Sequence, residues 1–468
     1  MSKNLTFGSS APQSAPITKL PVEILIEIFK SYAKTYPEVR NERVVDLCLV
    51  SKHWNAVAHN TPHLWTKINL CFPFADDHLD AARKRIHASK LKKIDIFINF
   101  CNSERGFSEL IDDEDEADQL AQSIWVYKIL TLLRGTEERW ESIDVVSRTW
   151  FPLHKLMEGF ESTYLPSLKS ISMERDNSYY GRSNASFRPL RLIGPMTLFG
   201  RGASLPKLRD LSLTGVHIDW DDASAVYRNL RKLELKNLAF NVAPSFEQFA
   251  EILSSSPRLE HLDVSGFCPE HHPEPPPGAP DPEVPVVYLP ALKDFIFGWN
   301  DIDQGHKFLQ MFQIGSSLET LVLIDTESGL SYLGDEELGD SEWALESQGI
   351  FEALYDLGSR APQDESDIPS GPFISMREVK RLEIIWTGTK GSWLIPLMGM
   401  LTKLESICLE DVDENVLKDI VSVLVGGNEA RRPLRTLDLH WGWHGVIPDF
   451  AEPSILQLEN AGIRFNTV

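Results

Sequence analysis

The feature that most constrains this chain is a short phrase, Leu-x-x-Leu-x-Leu, repeated along most of its 468 residues. Copies stand at Leu208–Leu213, Leu230–Leu235, Leu259–Val264, Leu292–Phe297, Leu318–Leu323, Val379–Ile384, Leu404–Leu409 and Leu434–Leu439. An earlier copy lies at Leu91–Ile96, and weaker ones at Trp140–Val145 and Leu168–Met173. The central apolar position falls at 211, 233, 262, 295, 321, 382, 407 and 437, in steps of 22, 29, 33, 26, 61, 25 and 30 residues. Alternating apolar residues in the second half of the phrase make a short strand with one buried face. The leucine three positions upstream packs beneath the preceding turn. Helix-like stretches, Ser245–Leu253 and Glu414–Leu424, lie between copies. Pro206 and Pro257 stand just before strands, where a proline ends a preceding helix. The expected class is α/β, with parallel strands stacked along one side.

The phrase and most of its spacings resemble the leucine-rich repeats, whose period is ~20–29 residues. That resemblance implies an irregular α/β solenoid over residues 88–468. Against it stands a mixed α/β domain with coincidental leucine spacing, because several steps are uneven and the family's turn asparagine is mostly missing. Asn237, after Leu230–Leu235, comes nearest to the full phrase. Two segments interrupt it. Residues 268–285, CPEHHPEPPPGAPDPEVP, are too proline-rich to pair as a sheet. Residues 332–372 are acidic around a candidate amphipathic helix, Trp343–Leu357, and account for the step of 61. The first reads as an extended surface loop, the second either as a solvated insertion or as a partner-binding or regulatory arm.

The segment Leu20–Trp65 has a different grammar. Pro21 suits the first turn of a helix. Ile24, Leu25, Ile28, Phe29 and Tyr32 then recur at helical spacing. After Pro37 and a polar run, Glu38–Arg43, comes the apolar set Val44, Val45, Leu47, Cys48, Leu49 and Val50, continuous enough to predict a helix buried all round. Trp54, Val57 and Ala58 carry a third helix ended by Asn60-Thr61-Pro62. Leu64, Trp65 and Ile68 form an apolar tail folded over the helices. A bundle this small leans on a neighbour or a partner.

The Leu-Pro start, the Val50-Ser51-Lys52-His53-Trp54 element and the closing Leu64-Trp65 pair resemble the F-box, and the long Tyr32–Val44 connection resembles its fungal type. The F-box is an adaptor module that docks substrate receptors onto a ubiquitin ligase scaffold. The resemblance implies that Leu20, Pro21, Ile24, Leu25, Ile28, Phe29, Val50, Trp54, Leu64 and Trp65 contact the Skp-type linker. The expected organisation is a disordered terminus over 1–15, the F-box over 16–70 and the repeat domain over 88–468.

Composition narrows the function. A formal net charge of −22 argues against nucleic acid and anionic membrane as partners. No run approaches the ~18 apolar residues of a membrane span. The polar first residues hold no secretory signal, and five scattered cysteines (Cys48, Cys71, Cys101, Cys268, Cys408) do not form a disulfide framework. An intracellular location, cytoplasm or nucleus, follows. Cys268, His271 and His272 lack a second ligand pair at zinc spacing, and no phosphate loop, nucleophile elbow or metalloprotease helix occurs. No metal, cofactor or catalytic residue is expected. Trp299, Trp386, Trp441 and Trp443 follow phrase copies and serve either as a substrate-binding aromatic patch or, at the last copy, as a cap on its open core.

The reading that results is a non-catalytic substrate-recognition adaptor of an SCF-type (Skp-cullin-F-box) ubiquitin ligase. The alternative is a leucine-rich protein-binding scaffold outside ubiquitin transfer.

Overall fold

A computed structural model describes residues 20–34, 40–101, 116–161, 163–175, 186–187, 189–194, 196–199, 205–221, 227–269, 282–326, 346–362, 369–387, 394–426, 436–440, 451–460 and 465–467. The chain divides into two compact units, Met1–Phe97 and Ile98–Val468.

The first unit opens with three helices, α1 (Val22–Lys34), α2 (Arg40–Val50) and α3 (Lys52–His59). Strand β1 (Lys67–Cys71) and helix α4 (Asp76–Ala88) follow. Strand β2 (Ile94–Asn99) begins in this unit. Leu25, Phe29 and Ala33 form one stripe of α1 and meet Val44 and Leu47 of α2, Val57 and Ala58 of α3, and Leu64 and Trp65 of the tail. The tail is tied down as well as buried: Trp65 Nε1 donates to the Ala58 carbonyl at 2.9 Å. Two expectations change here. The Tyr32–Val44 connection, which reads as a loop extension, is helix at both ends: α1 runs on to Lys34 and α2 already begins at Arg40, and residues 35–39 lie outside the described residues. The charged residues at the start of α2, Arg40, Glu42 and Arg43, are good helix formers. And α2 is not buried all round, since Val45, Leu49 and Val50 remain exposed.

In the second unit helix α5 (Glu116–Leu133) leads into β3 (Trp140–Ser147), helix α6 (Trp150–Phe160), β4 (Ser170–Arg175), β5 (Asp210–Thr214) and β6 (Lys232–Lys236). Next come α7 (Phe246–Ser254), β7 (His261–Ser265), β8 (Val287–Leu289), β9 (Asp294–Trp299), α8 (Ile302–Leu309), β10 (Phe312–Ile314) and β11 (Thr320–Asp325). The chain continues through α9 (Glu346–Ser359), β12 (Phe373–Ile374), β13 (Arg381–Ile385), α10 (Leu394–Met400) and β14 (Ser406–Glu410), then α11 (Glu414–Gly426), β15 (Thr436–His440), α12 (Glu452–Asn460) and β16 (Phe465–Thr467). The long strands pair in parallel in the order β3-β4-β5-β6-β7-β9-β11-β13-β14-β15-β16, and β8, β10 and β12 make a separate small parallel sheet.

The phrase sets the register. Leu211 lies opposite Leu233, Leu233 opposite Leu262, Leu262 opposite Phe295, Phe295 opposite Leu321, Leu321 opposite Leu382, Leu382 opposite Ile407 and Ile407 opposite Leu437. The next inward row, from Leu213 to Leu439, is buried too. So are the phrase-opening residues Leu208, Leu230, Leu259, Leu292, Leu318, Val379 and Leu404. A row of hydrogen bonds runs across the strand entrances, for example from Arg231 N–H to the Arg209 carbonyl at 2.7 Å and from Glu260 N–H to the Arg231 carbonyl at 2.8 Å. Five of the strand exits share a left-handed residue. Gly215, Asn237, Gly266, Trp386 and Asp411 each follow a strand and each has positive φ. Asn237 N–H then reaches the Ser265 carbonyl at 2.8 Å, and Trp386 N–H the Glu410 carbonyl at 2.9 Å.

The copy at Leu91–Ile96 departs from this pattern. Leu91 is 91% exposed, while Ile94 and Ile96 are buried. A turn closes behind α4, with Lys90 at φ 53 and Lys92 N–H bonded to the Ser89 carbonyl at 3.0 Å, and it carries Leu91 outwards. Within the acidic insertion, α9 buries Ile350, Phe351, Leu354 and Leu357, so its middle is core rather than loop. Residues 270–281, 332–345 and 363–368 of the two interruptions lie outside the described residues.

Candidate functional site

The first unit holds the feature that distinguishes it from an ordinary helical cap: apolar side chains that its own core does not cover. Pro21 stands at the entrance of α1, with its carbonyl accepting from Leu25 N–H at 3.1 Å. Along α1, Leu25, Phe29 and Ala33 recur every fourth residue and face the core. The adjacent stripe, one residue back, is Ile24, Ile28 and Tyr32, and it is exposed. On α2, Val44 and Leu47 face inward, whereas Val45 and Leu49, one turn apart, face water, Leu49 at 77% exposure. Val50, at the end of α2, is 58% exposed. The Arg43 guanidinium lies 4.6 Å from the Tyr32 ring centroid and bonds the Tyr32 carbonyl at 3.4 Å, which brings the end of α1 beside the start of α2.

The residues anticipated as linker contacts therefore fall into two groups. Pro21, Ile24, Ile28 and Val50 are exposed, and Leu20 and Trp54 are half-buried. Leu25, Phe29, Leu64 and Trp65 are buried in the core of this unit. The Phe29 and Trp54 rings sit 4.9 Å apart, coupling the two groups. Ser51 caps α3, its hydroxyl accepting from Trp54 N–H at 3.1 Å, and Asn55 Nδ2 reaches the Cys48 carbonyl at 3.1 Å. The serine of the Val-Ser-Lys-x-Trp element thus starts the helix that presents the tryptophan. Val22, Tyr32, Val45 and Leu49 join the exposed set although the sequence reading did not single them out as contacts. Their signal was present: an apolar run on a short helix with only one face packed must show the other. Burial pushes the Cys48 thiol up against the pull of Arg85, which keeps it protonated near neutral pH.

The tryptophans of the second unit do not align as one exposed patch. Trp299 is 3% exposed, stacked on Phe297 at 6.1 Å, because the exit of β9 turns it toward α8, where Gly305 makes room. Trp386 is half-buried at the exit of β13. Trp441 and Trp443 lie outside the described residues, as do His271 and His272. Cys268 is buried, its thiol 3.3 Å from the Gln304 carbonyl.

The face of the large sheet turned away from its buried rows is polar and half-buried along most of its length. Across β6, β7 and β9 it is charge-compensated: Lys232 pairs with Glu234 at 2.8 Å, Lys236 with Asp263 at 3.6 Å, and the His261 ring lies 3.4 Å from Glu234 and 3.6 Å from Asp294. Burial would raise the Glu234 carboxyl, but bonds from His261, Lys232 and Ser212 overcome it and hold the group well below the usual range. The Glu234 bond raises His261 in return, against burial.

Residues 17–71 match the F-box-like family, and the chain carries an F-box-like domain there. Among curated proteins, nothing matches the chain. Among the described residues no helix is long and apolar enough to cross a membrane.

Proposed function

We propose that the protein is a substrate-recognition adaptor of an SCF-type ubiquitin ligase, its F-box docking a Skp-type linker and, through it, a cullin. The observation that carries this is the uncovered apolar set Pro21, Ile24, Ile28, Val45, Leu49 and Val50 within the very residues that match the F-box-like family. Apolar side chains left in water on a folded helix pair mark an interface with another protein. On this reading the linker covers α1 and α2, and the protein is active inside the cell. The second unit is an irregular leucine-rich-repeat solenoid that recruits a protein substrate on the polar face of its sheet, a reading supported by the in-register rows at 211 to 437 and by the left-handed strand exits. The contribution to ubiquitin transfer is proximity. Holding a substrate beside a charged conjugating enzyme raises the effective concentration of lysine and thioester, and no residue of this chain acts on either.

The test is co-purification from cells of tagged wild-type protein and an Ile28→Asp/Leu49→Asp variant, probed for the linker and a cullin. Capture of both by the wild type and loss in the folded variant is expected. No capture by either would leave a leucine-rich scaffold outside ubiquitin transfer.

A further inference from the structure

The polar face of the sheet changes character between β9 and β15. Read across the strands, one outward row runs Asp263, Ile296, Val322, Glu383, Cys408 and Asp438, each opposite the next in register. The row beside it runs Gly298, Ile324, Ile385, Glu410 and His440. Both pass from isoleucine and valine to carboxylates within two rungs. Alternation should place polar residues on an outward face, so Ile296, Ile324 and Ile385, all half-buried, are out of pattern. Glu383 is held by Arg381 on its own strand, and Asp438 accepts from Asn466 Nδ2 at 2.7 Å. Among the described residues no lysine or arginine pairs with Glu410 or Asp438. Two groups on this face are shifted mainly by burial, with neighbouring carboxylates adding to it. Burial raises the Cys408 thiol to about 11, helped by Glu383, Asp438 and Glu410, and burial with Asp411 raises the Glu410 carboxyl.

We infer that this face takes an extended segment of the recruited substrate in which an apolar side chain is followed by lysine or arginine. The inference rests on the adaptor reading and names the chemistry of its substrate. The apolar side chain sits on Ile324 and Ile385, and the cation lies between Glu410 and Asp438. Strands are ~4.8 Å apart and an extended chain advances ~3.3 Å per residue, so a cation two rungs from the apolar anchor stands about two to four residues along the segment. The half of the face around His261 already sets Lys232 and Lys236 against Glu234 and Asp263.

The test is selection of a phage-displayed random dodecapeptide library on the full chain, with winning peptides measured against wild type, Glu410→Gln/Asp438→Asn, Glu410→Lys/Asp438→Lys and Ile385→Lys. Enrichment of an apolar residue followed at that spacing by lysine or arginine is expected. Binding should weaken about tenfold in the neutral variant, as for one or two solvent-facing ion pairs, and further in the reversed one. Peptides that lose affinity for Ile385→Lys yet carry no basic residue overturn the substrate chemistry and leave recruitment by this face standing. Absence of enriched peptides, or peptides indifferent to all three variants, overturns both.

Discussion

Gly266 tests the regularity of the strand exits. It follows β7 at φ +70, a conformation that places a Cβ against its own carbonyl and costs an L residue ~1–2 kcal/mol. A Cβ there would also lie 2.2 Å from Asn237 Oδ1 and 3.3 Å from Asn237 Cα, because the neighbouring exit stacks directly against it. Forcing a methyl into such a contact costs a further ~1–3 kcal/mol. Gly266→Ala should therefore destabilise the second unit by ~2–5 kcal/mol. Gly135, in the turn after α5, has φ +83 and nothing within 4 Å of a built Cβ, so Gly135→Ala should show the conformational part alone, ~1–2 kcal/mol. Urea denaturation followed by far-ultraviolet circular dichroism measures both. The steric part should return on Gly266→Ala/Asn237→Gly, which removes the obstructing amide and leaves a residue at ease at φ 52. Equal losses at Gly266 and Gly135, or no recovery in the double variant, would refute the stacked-exit argument.

Other outcomes follow from the same structure. Phe29→Ala should loosen α1 by ~3–5 kcal/mol in peptide-resolved hydrogen exchange, while Leu49→Asp should leave exchange within ~0.5 kcal/mol of wild type, since one is core and the other is exposed. His217, buried between Trp150 and Phe187, is driven down by burial to about 4 from an ordinary 6.5, with the Gly194 and Ile193 carbonyls opposing. Its folded pKa lies below the unfolded one, so its contribution is full above pH 6.5 and is lost as pH falls toward 4; in chemical denaturation across that range His217→Phe should flatten this loss. His261 acts with the opposite sign. Raised by Glu234, it stabilises fully below pH 6.5 and loses that contribution as pH rises through its elevated value, a dependence that should vanish in His261→Gln when stability is followed from pH 6 to 9.

How much of this was legible in the sequence depended on whether one strand or helix could decide the matter. The row at 211, 233, 262, 295, 321, 382, 407 and 437 was readable because a strand's alternation is local and the register repeats it. Leu91 carried the same letters yet is exposed, because its burial depended on the turn behind it, which the phrase does not encode. The exposure of Val45, Leu49 and Val50 was misread as burial, since a continuous apolar run looks alike whether its second face meets the core or a partner. The place of Trp299 after a phrase copy suggests an aromatic patch, whereas at the exit of β9 the side chain follows the inward row and is buried. Three of the left-handed exits carry a residue suited to positive φ, Gly215, Asn237 and Gly266, but Trp386 and Asp411 do the same task without one. The change from compensated to acidic along the polar face needed strand order, which sets which charges become neighbours.

The most direct test of the adaptor account is calorimetric titration of the purified full chain with a purified Skp-type linker, beside the Ile28→Asp/Leu49→Asp variant. The account predicts saturable one-to-one binding, weakened more than about tenfold in a variant whose circular dichroism is unchanged, as expected when two centrally placed apolar contacts are lost. No heat of binding with the wild type, or equal affinity for both proteins, would contradict it.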